Sequence, residues 1–130
     1  MSYVTDTHSL IWHLTDEPRL SEEAKSIFKL ADESLAIIHI SCISFLELVF
    51  LLEKKRVSIE FERFLRTFSE SDCYKIEPVC LPIIEQVRKI SRDDVNDPWD
   101  RIIAATSIHL QLPLISRDRK IGNLGIEVIN

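Results

Sequence analysis

Glycine is nearly absent: the 130 residues hold two, Gly122 and Gly125. No G-x-G-x-x-G and no G-x-x-x-x-G-K-[ST] can be written, so the two Gly-rich phosphate cradles are excluded. Collagen-like and Gly-rich disordered classes are excluded with them. Cysteine is scarce and odd in number, Cys42, Cys73 and Cys80, with no C-x-x-C pair. A disulfide framework or a zinc knuckle is thereby disfavoured, a reducing cytoplasm fits best, and the thiols read as buried free cysteines. An excess of positive charge is also missing. Sixteen Lys and Arg face 21 Asp and Glu, a net charge of −5, whereas proteins that hold nucleic acid by phosphate neutralisation alone are usually basic. No H-E-x-x-H occurs, and His8 and His13 stand on different helix faces. The histidines therefore read as structural or surface groups.

The N-terminus carries no basic segment followed by an apolar one, so no secretory signal is expected. From Ser34 to Leu52, Glu47 is the only formally charged residue, and the length matches a membrane span. His39, Ser41, Cys42, Ser44 and Glu47 interrupt the run. Its first part, Ala36 to Ser41, is rich in branched residues and reads as a strand; Ile43 to Glu53 reads as a helix. A buried strand entering a helix buried all round explains the run better than a span.

With 45% hydrophobic and 28% charged residues, the composition is that of one globular domain covering residues 1–130. Strand and helix patterns alternate. Tyr3–Thr5, Ala36–Ser41, Tyr74–Glu77, Leu114–Ser116 and Ile126–Ile129 read as strands. Helices are predicted over Thr7–Leu14, Ser21–Leu30, Ile43–Glu53, Ile59–Phe68, Leu81–Ile90 and from Asp97-Pro98 to Leu110. Strands apolar on both faces, alternating with helices, predict an α/β fold: a three-layer α/β/α sandwich around a mostly parallel sheet of about five strands. In such sheets the binding crevice lies beyond the carboxyl ends of the strands.

That rule draws Asp6, Glu47, Asp100 and Asp118 together. Asp6 follows the first strand, Glu47 lies beyond the second, Asp118 follows the fourth, and Asp100 opens the helix before it. Each has a plainer reading. Asp6 alone reads as a helix N-cap, and Asp118 as part of a solvated charge run. In Asp97-Pro98-Trp99-Asp100, Asp97 is the cap and Pro98 the first helical residue, and Asp100 is left open. Glu47 resists the plain reading, because an unpaired charge on an apolar helix is too costly. Jointly, several close carboxylates cannot all stay ionised without compensation. A hard divalent cation, Mg²⁺ or Mn²⁺, resolves the conflict. Such a site suits phosphodiester hydrolysis, with one carboxylate as base. Arg101, Arg117, Arg119 and Lys120 flank it, as phosphate holders or as a solvated surface.

The strings Val4-Thr5-Asp6-Thr7-His8-Ser9-Leu10-Ile11-Trp12, Ile40-Ser41-Cys42-Ile43-Ser44-Phe45-Leu46-Glu47, Asp97-Pro98-Trp99-Asp100-Arg101 through Thr106, and Leu114-Ile115-Ser116-Arg117-Asp118 resemble those of PIN-domain ribonucleases of the VapC toxin type. Order and spacing agree over essentially the whole chain. The resemblance implies a Mg²⁺- or Mn²⁺-dependent endoribonuclease, the toxin of a type II toxin–antitoxin pair. It implies RNA as substrate, a cognate antitoxin that occludes the site, and a homodimer. Asp6, Glu47, Asp100 and Asp118 match the acidic quartet. Ser116 matches an accompanying hydroxyl residue, often threonine, and Asp97 the first acid of a D-P-x-D variant. Two other classes compete. One is an aspartyl-phosphate-type phosphatase with Asp6 as nucleophile, for which His8 stands where a second acid is usual. The other is a non-catalytic RNA- or protein-binding module whose acids are only caps.

Overall fold

The computed structural model describes Met1–Asn130. Five strands, β1 (Ser2–Thr5), β2 (Ile37–Ser41), β3 (Tyr74–Glu77), β4 (Leu114–Ile115) and β5 (Val128–Ile129), form one sheet in the order β3-β2-β1-β4-β5. Every pairing is parallel. The helices are α1 (Thr7–Leu14), α2 (Glu22–Asp32), α3 (Ile43–Glu53), α4 (Phe61–Ser69), α5 (Leu81–Lys89) and α6 (Pro98–Leu110), with a 3₁₀ turn over Arg119–Leu124.

Alternation along the strands divides the core in two. Ile38, Ile40, Ile115 and Ile129 pack with Leu10, Phe28, Leu48, Phe64 and Phe68 on the α1–α4 side. Val4 and Leu114 pack with Ile83, Ile103, Ala104 and Ile121 on the α5–α6 side. A parallel sheet covered on both faces needs strands apolar on both faces, and these strands are. The layers are those the sequence pattern predicts.

Capping sets several helix starts. The Asp6 carboxylate accepts from the Ser9 amide, the Ser21 hydroxyl oxygen from Ala24, and the Asp97 carboxylate from Trp99, each satisfying an amide that the helix cannot pair. The 3₁₀ turn ends at Gly125, whose φ of +81° is a left-handed conformation that glycine adopts without strain.

Three expectations need correction. The run Ile43–Leu52 is not buried all round: Ser44, Glu47 and Leu48 are buried, but Leu46 and Phe50 are exposed. Apolarity on that outer face is therefore not core packing. The cysteines are half-buried rather than buried, although all three are free. The last strand is shorter than expected, Val128–Ile129 rather than Ile126–Ile129, following the 3₁₀ turn that ends at Gly125. No helix is long and apolar enough to cross a membrane.

Candidate functional site

Strand register fixes the floor of the site. Thr5 pairs laterally with Ile40 and with Ile115, so Asp6 stands level with Ser41 and Ser116 at the carboxyl ends of three adjacent strands. The chain runs from β1 to β2 on one side and reaches β4 on the other. This is the topological switch point where open parallel sheets form their crevice. The Asp6 amide donates to the Ile115 carbonyl at 3.0 Å, locking the turn to β4. Ser41 and Ser116 are both buried. Each accepts with its hydroxyl from an amide two residues on, Ile43 at 3.3 Å and Asp118 at 3.0 Å, and so turns the chain out of the sheet.

Glu47 is 6% exposed, on the inner face of α3. Its Oε1 is buried and has no hydrogen-bond partner. Burial raises its pKa, against weaker downward pulls from the Thr7 hydroxyl and His8 and further upward pushes from Asp97 and Asp6. The Thr7 hydroxyl donates to Ser44 at 2.9 Å and ties α1 to α3 one turn before Glu47. Thr7 and Ser44 escaped the sequence reasoning. Hydroxyls one turn from a carboxylate on an otherwise apolar helix were the available signal.

Asp100 is the electrostatic centre. Burial first, then the charges of Asp97, Asp6, Glu47 and Asp118, push its pKa up to about 7. All four sequence-predicted acids, with Asp97, thus act on one another. They do not form a closed cage: no three His, Cys, Asp or Glu side chains gather tightly enough to grip an ion as a ready-made set. The expected pocket of four converging carboxylates is in that respect absent. The capping that was the plainer reading supplies the reason. Asp6 Oδ1 accepts from Ser9 N at 2.8 Å, Asp118 Oδ1 from Lys120 N at 3.0 Å, and Asp97 Oδ1 from Trp99 N at 2.8 Å and Asp100 N at 3.3 Å. Like charges also keep the groups apart.

The donor set nonetheless fits a hard divalent cation. An unpartnered buried carboxylate oxygen and a carboxyl held half-protonated near neutrality are both deficits of positive charge, and oxygen ligands are what Mg²⁺ and Mn²⁺ take. Arg101 does not supply the missing charge in the manner expected of a phosphate holder. Its guanidinium donates to the Val87 and Ile90 carbonyls at 3.0 and 2.8 Å, closing the end of α5. Arg117 donates to the Arg19 carbonyl at 3.0 Å and stands exposed beside Asp118.

Comparisons with known proteins agree with this geometry. A family model described as PIN domain matches residues 3–127. VapBC2 from Rickettsia felis, solved with a DNA fragment of its promoter, superposes with a TM-score of 0.73 at 17% identity, covering 100% of this chain and 98% of that one. DNA-bound VapBC from Salmonella typhimurium gives 0.70 at 19%, covering 99% and 97%. A toxin–antitoxin complex from Klebsiella pneumoniae gives 0.63 at 25%, covering 98% and 96%. No curated protein matches the sequence significantly.

Proposed function

The chain belongs to the PIN domain family, and from that premise we propose that it is a Mg²⁺- or Mn²⁺-dependent endoribonuclease, the toxin of a type II toxin–antitoxin pair. The observation that carries the reading is Asp100: a half-buried carboxyl pushed up to about 7 by partial burial first and then by four neighbouring acids, at the switch point of a parallel sheet. Structural carboxylates are usually paired with cations, and an uncompensated group of this kind marks a working site. Similarity to chains from VapBC and other toxin–antitoxin complexes supports the toxin assignment and an antitoxin partner. A homodimer follows from the same reading.

Asp6, Glu47, Asp100 and Asp118 would hold the cation, which when bound orients a scissile phosphate, lowers the pKa of a water and stabilises the leaving oxygen. The chain's own residues do the rest. Asp6 and Asp118 each use one oxygen as a helix or turn cap, which fixes the carboxylate and leaves the second oxygen without a protein donor. Thr7 and Ser44 hold α1 against α3 and so position Glu47. Without the cation the Asp100 carboxyl is held up at about 7; with the cation bound it would be ionised and would complete the oxygen set around the ion. Asp97 sets the start of α6 and, by its charge, keeps Asp100 basic. Ser116 turns the chain so that Asp118 faces the same edge.

The test is cleavage of RNA by the purified, antitoxin-free chain titrated with Mg²⁺ and Mn²⁺. Metal-dependent cleavage that Asp6→Asn and Asp100→Asn abolish, with the fold intact by circular dichroism, is expected. Equal cleavage by wild type and both variants overturns the assignment.

A further inference from the structure

An acidic protein that cuts RNA needs a local cationic surface beside its site, and one runs along α1. Trp12, half-buried on α1, carries two guanidinium groups over its indole: Arg19 at 5.0 Å and Arg117 at 5.5 Å from the ring centroid. Both arginines are exposed. The acid paired with Arg19 is Glu17, at 3.4 Å. Arg117 donates to a main-chain carbonyl and so keeps its full charge. Asp16 also borders the indole, on the side lined by Glu17 and Lys25, while both guanidinium groups lie over the ring itself. Arg19 and Trp12 also line a groove of about 240 Å³ with Arg56, Thr15, Ser58 and Glu17. Arg56 is exposed and forms no ion pair. The groove is below the ~300–1,000 Å³ usual for a small-molecule pocket, a size that suits part of a strand lying across the surface.

Arg117 and His8, both against the Trp12 ring, link the groove to the acidic edge. Arg117 lies between Ser116 and Asp118 in the chain. His8, two residues past Asp6, is exposed, reaches Trp12 at 6.1 Å between ring centroids, and is close enough for its charge to act on Glu47. The path runs from Glu47 over His8 to Trp12, Arg117, Arg19 and Arg56. Guanidinium groups bind phosphate oxygens in paired hydrogen bonds, and planar aromatic and guanidinium faces stack unpaired bases.

We infer that the Trp12–Arg19–Arg117 stack and Arg56 form a subsite for single-stranded RNA, holding the nucleotides next to the bond cut at the acidic edge. This rests on the reading of the chain as an RNA-cleaving enzyme. The stack orders the two guanidinium groups before the strand arrives, which lowers the entropic cost of binding. Single-stranded rather than duplex RNA follows from the flat aromatic and guanidinium faces, which bases can reach only when unpaired.

The experiment uses the full chain carrying Asp100→Asn, in EDTA, with a short fluorescein-labelled single-stranded RNA of mixed sequence read by anisotropy. Arg19→Ala and Arg117→Ala are each expected to raise Kd by about tenfold, the loss of one charge-assisted contact. Each should also reduce the slope of log Kd against log salt by about 0.7. Arg56→Ala should weaken binding in the same sense at a nearly unchanged melting temperature, since its exposed side chain makes no hydrogen bond or ion pair within the protein. It therefore separates binding from folding. With Asp100 restored and Mn²⁺ present, the three substitutions should raise KM far more than they lower kcat. Kd values and salt slopes equal to the parent's in all three variants overturn the subsite, even where the parent cleaves RNA. Groove-dependent binding by a chain that cleaves no RNA under any metal upholds the subsite and removes the cleavage reading. Absence of RNA binding by the parent removes the subsite outright.

Discussion

At the scale of single residues, the chain places a protonatable carboxyl where four others repel its charge. Asp100 is raised from 3.8 to about 7, so the folded protein binds a proton that the unfolded chain releases. Stability from this source is fully present below pH 3.8, declines as the pH rises, and is lost above about 7. His13 works in the opposite direction. Burial against Phe28 lowers its pKa despite Asp32 at 3.2 Å, so its contribution holds above 6.5 and is lost as the pH falls through the folded value. The informative comparison is therefore wild type against Asp100→Asn, both in EDTA. The wild type should lose melting temperature relative to the variant between pH 5 and 8, at roughly 3–5 °C per kcal/mol for a domain of this size. Mg²⁺ should restore the wild type and leave the variant nearly unmoved. Parallel melting curves for the two proteins across that pH range would contradict the charge cluster.

At the scale of secondary-structure elements, α6 does two jobs from its first turn. Asp97 caps it, and the same charge helps hold Asp100 up. The two roles can be separated. Asp97→Ala removes cap and charge and should cost about 1 kcal/mol of stability in a denaturant titration. Asp97→Asn keeps a capping oxygen, so stability at acid pH should stay near wild type, while in EDTA the loss of melting temperature with rising pH that Asp100 causes should be complete at lower pH. Arg101, one residue past Asp100, belongs to α5 as much as to α6 through its bonds to the Val87 and Ile90 carbonyls. Arg101→Met should therefore lower the melting temperature by several degrees, since two carbonyls lose a charged donor, while KM for RNA stays within about twofold of wild type in a cleavage assay.

These elements also show what the sequence could disclose. Helix α1 and strand β3 were legible to the residue, because an acid ahead of an apolar run, and Tyr74 and Ile76 alternating with Lys75 and Glu77, are local signals. The D-P-W-D start of α6 was legible for the same reason. Helix α4 begins at Phe61 rather than Ile59, because Ile59 packs into the core ahead of the helix, with Glu60 as a cap that makes no side-chain bond. The direction of Arg101 depends on where α5 ends in space, a tertiary fact that spacing does not encode. The acids could be assigned to one edge from their places beyond the carboxyl ends of the strands, and Asp100 does feel all of them. Their separation could not be foreseen, because each carboxylate's preference for its own backbone amide competes with convergence.

At the scale of the whole molecule, the uniform apolarity of α3 becomes intelligible. Its inner face holds Glu47 and Leu48, and its outer face presents Leu46, 44% exposed, and Phe50, 40% exposed, with Trp99 of α6 at 5.6 Å from Phe50. Single exposed apolar residues are ordinary, but Leu46 and Phe50 stand one turn apart on α3 with Trp99 of α6 against Phe50, an apolar patch of the kind that protein contacts cover. On the proposed reading that partner is a second copy of the chain, an antitoxin, or both, and the face lies on the same helix that carries Glu47. Burying it would therefore couple assembly to the site through one rigid element. Leu46→Glu with Phe50→Glu should leave the inner face and the melting temperature near wild type, since neither side chain enters the core, while like charges on the face oppose association. Sedimentation equilibrium at tens of micromolar should show wild type as a dimer and the double variant as a monomer. A monomeric wild type would remove the expected self-association, and a double variant that still dimerises would place it elsewhere on the surface.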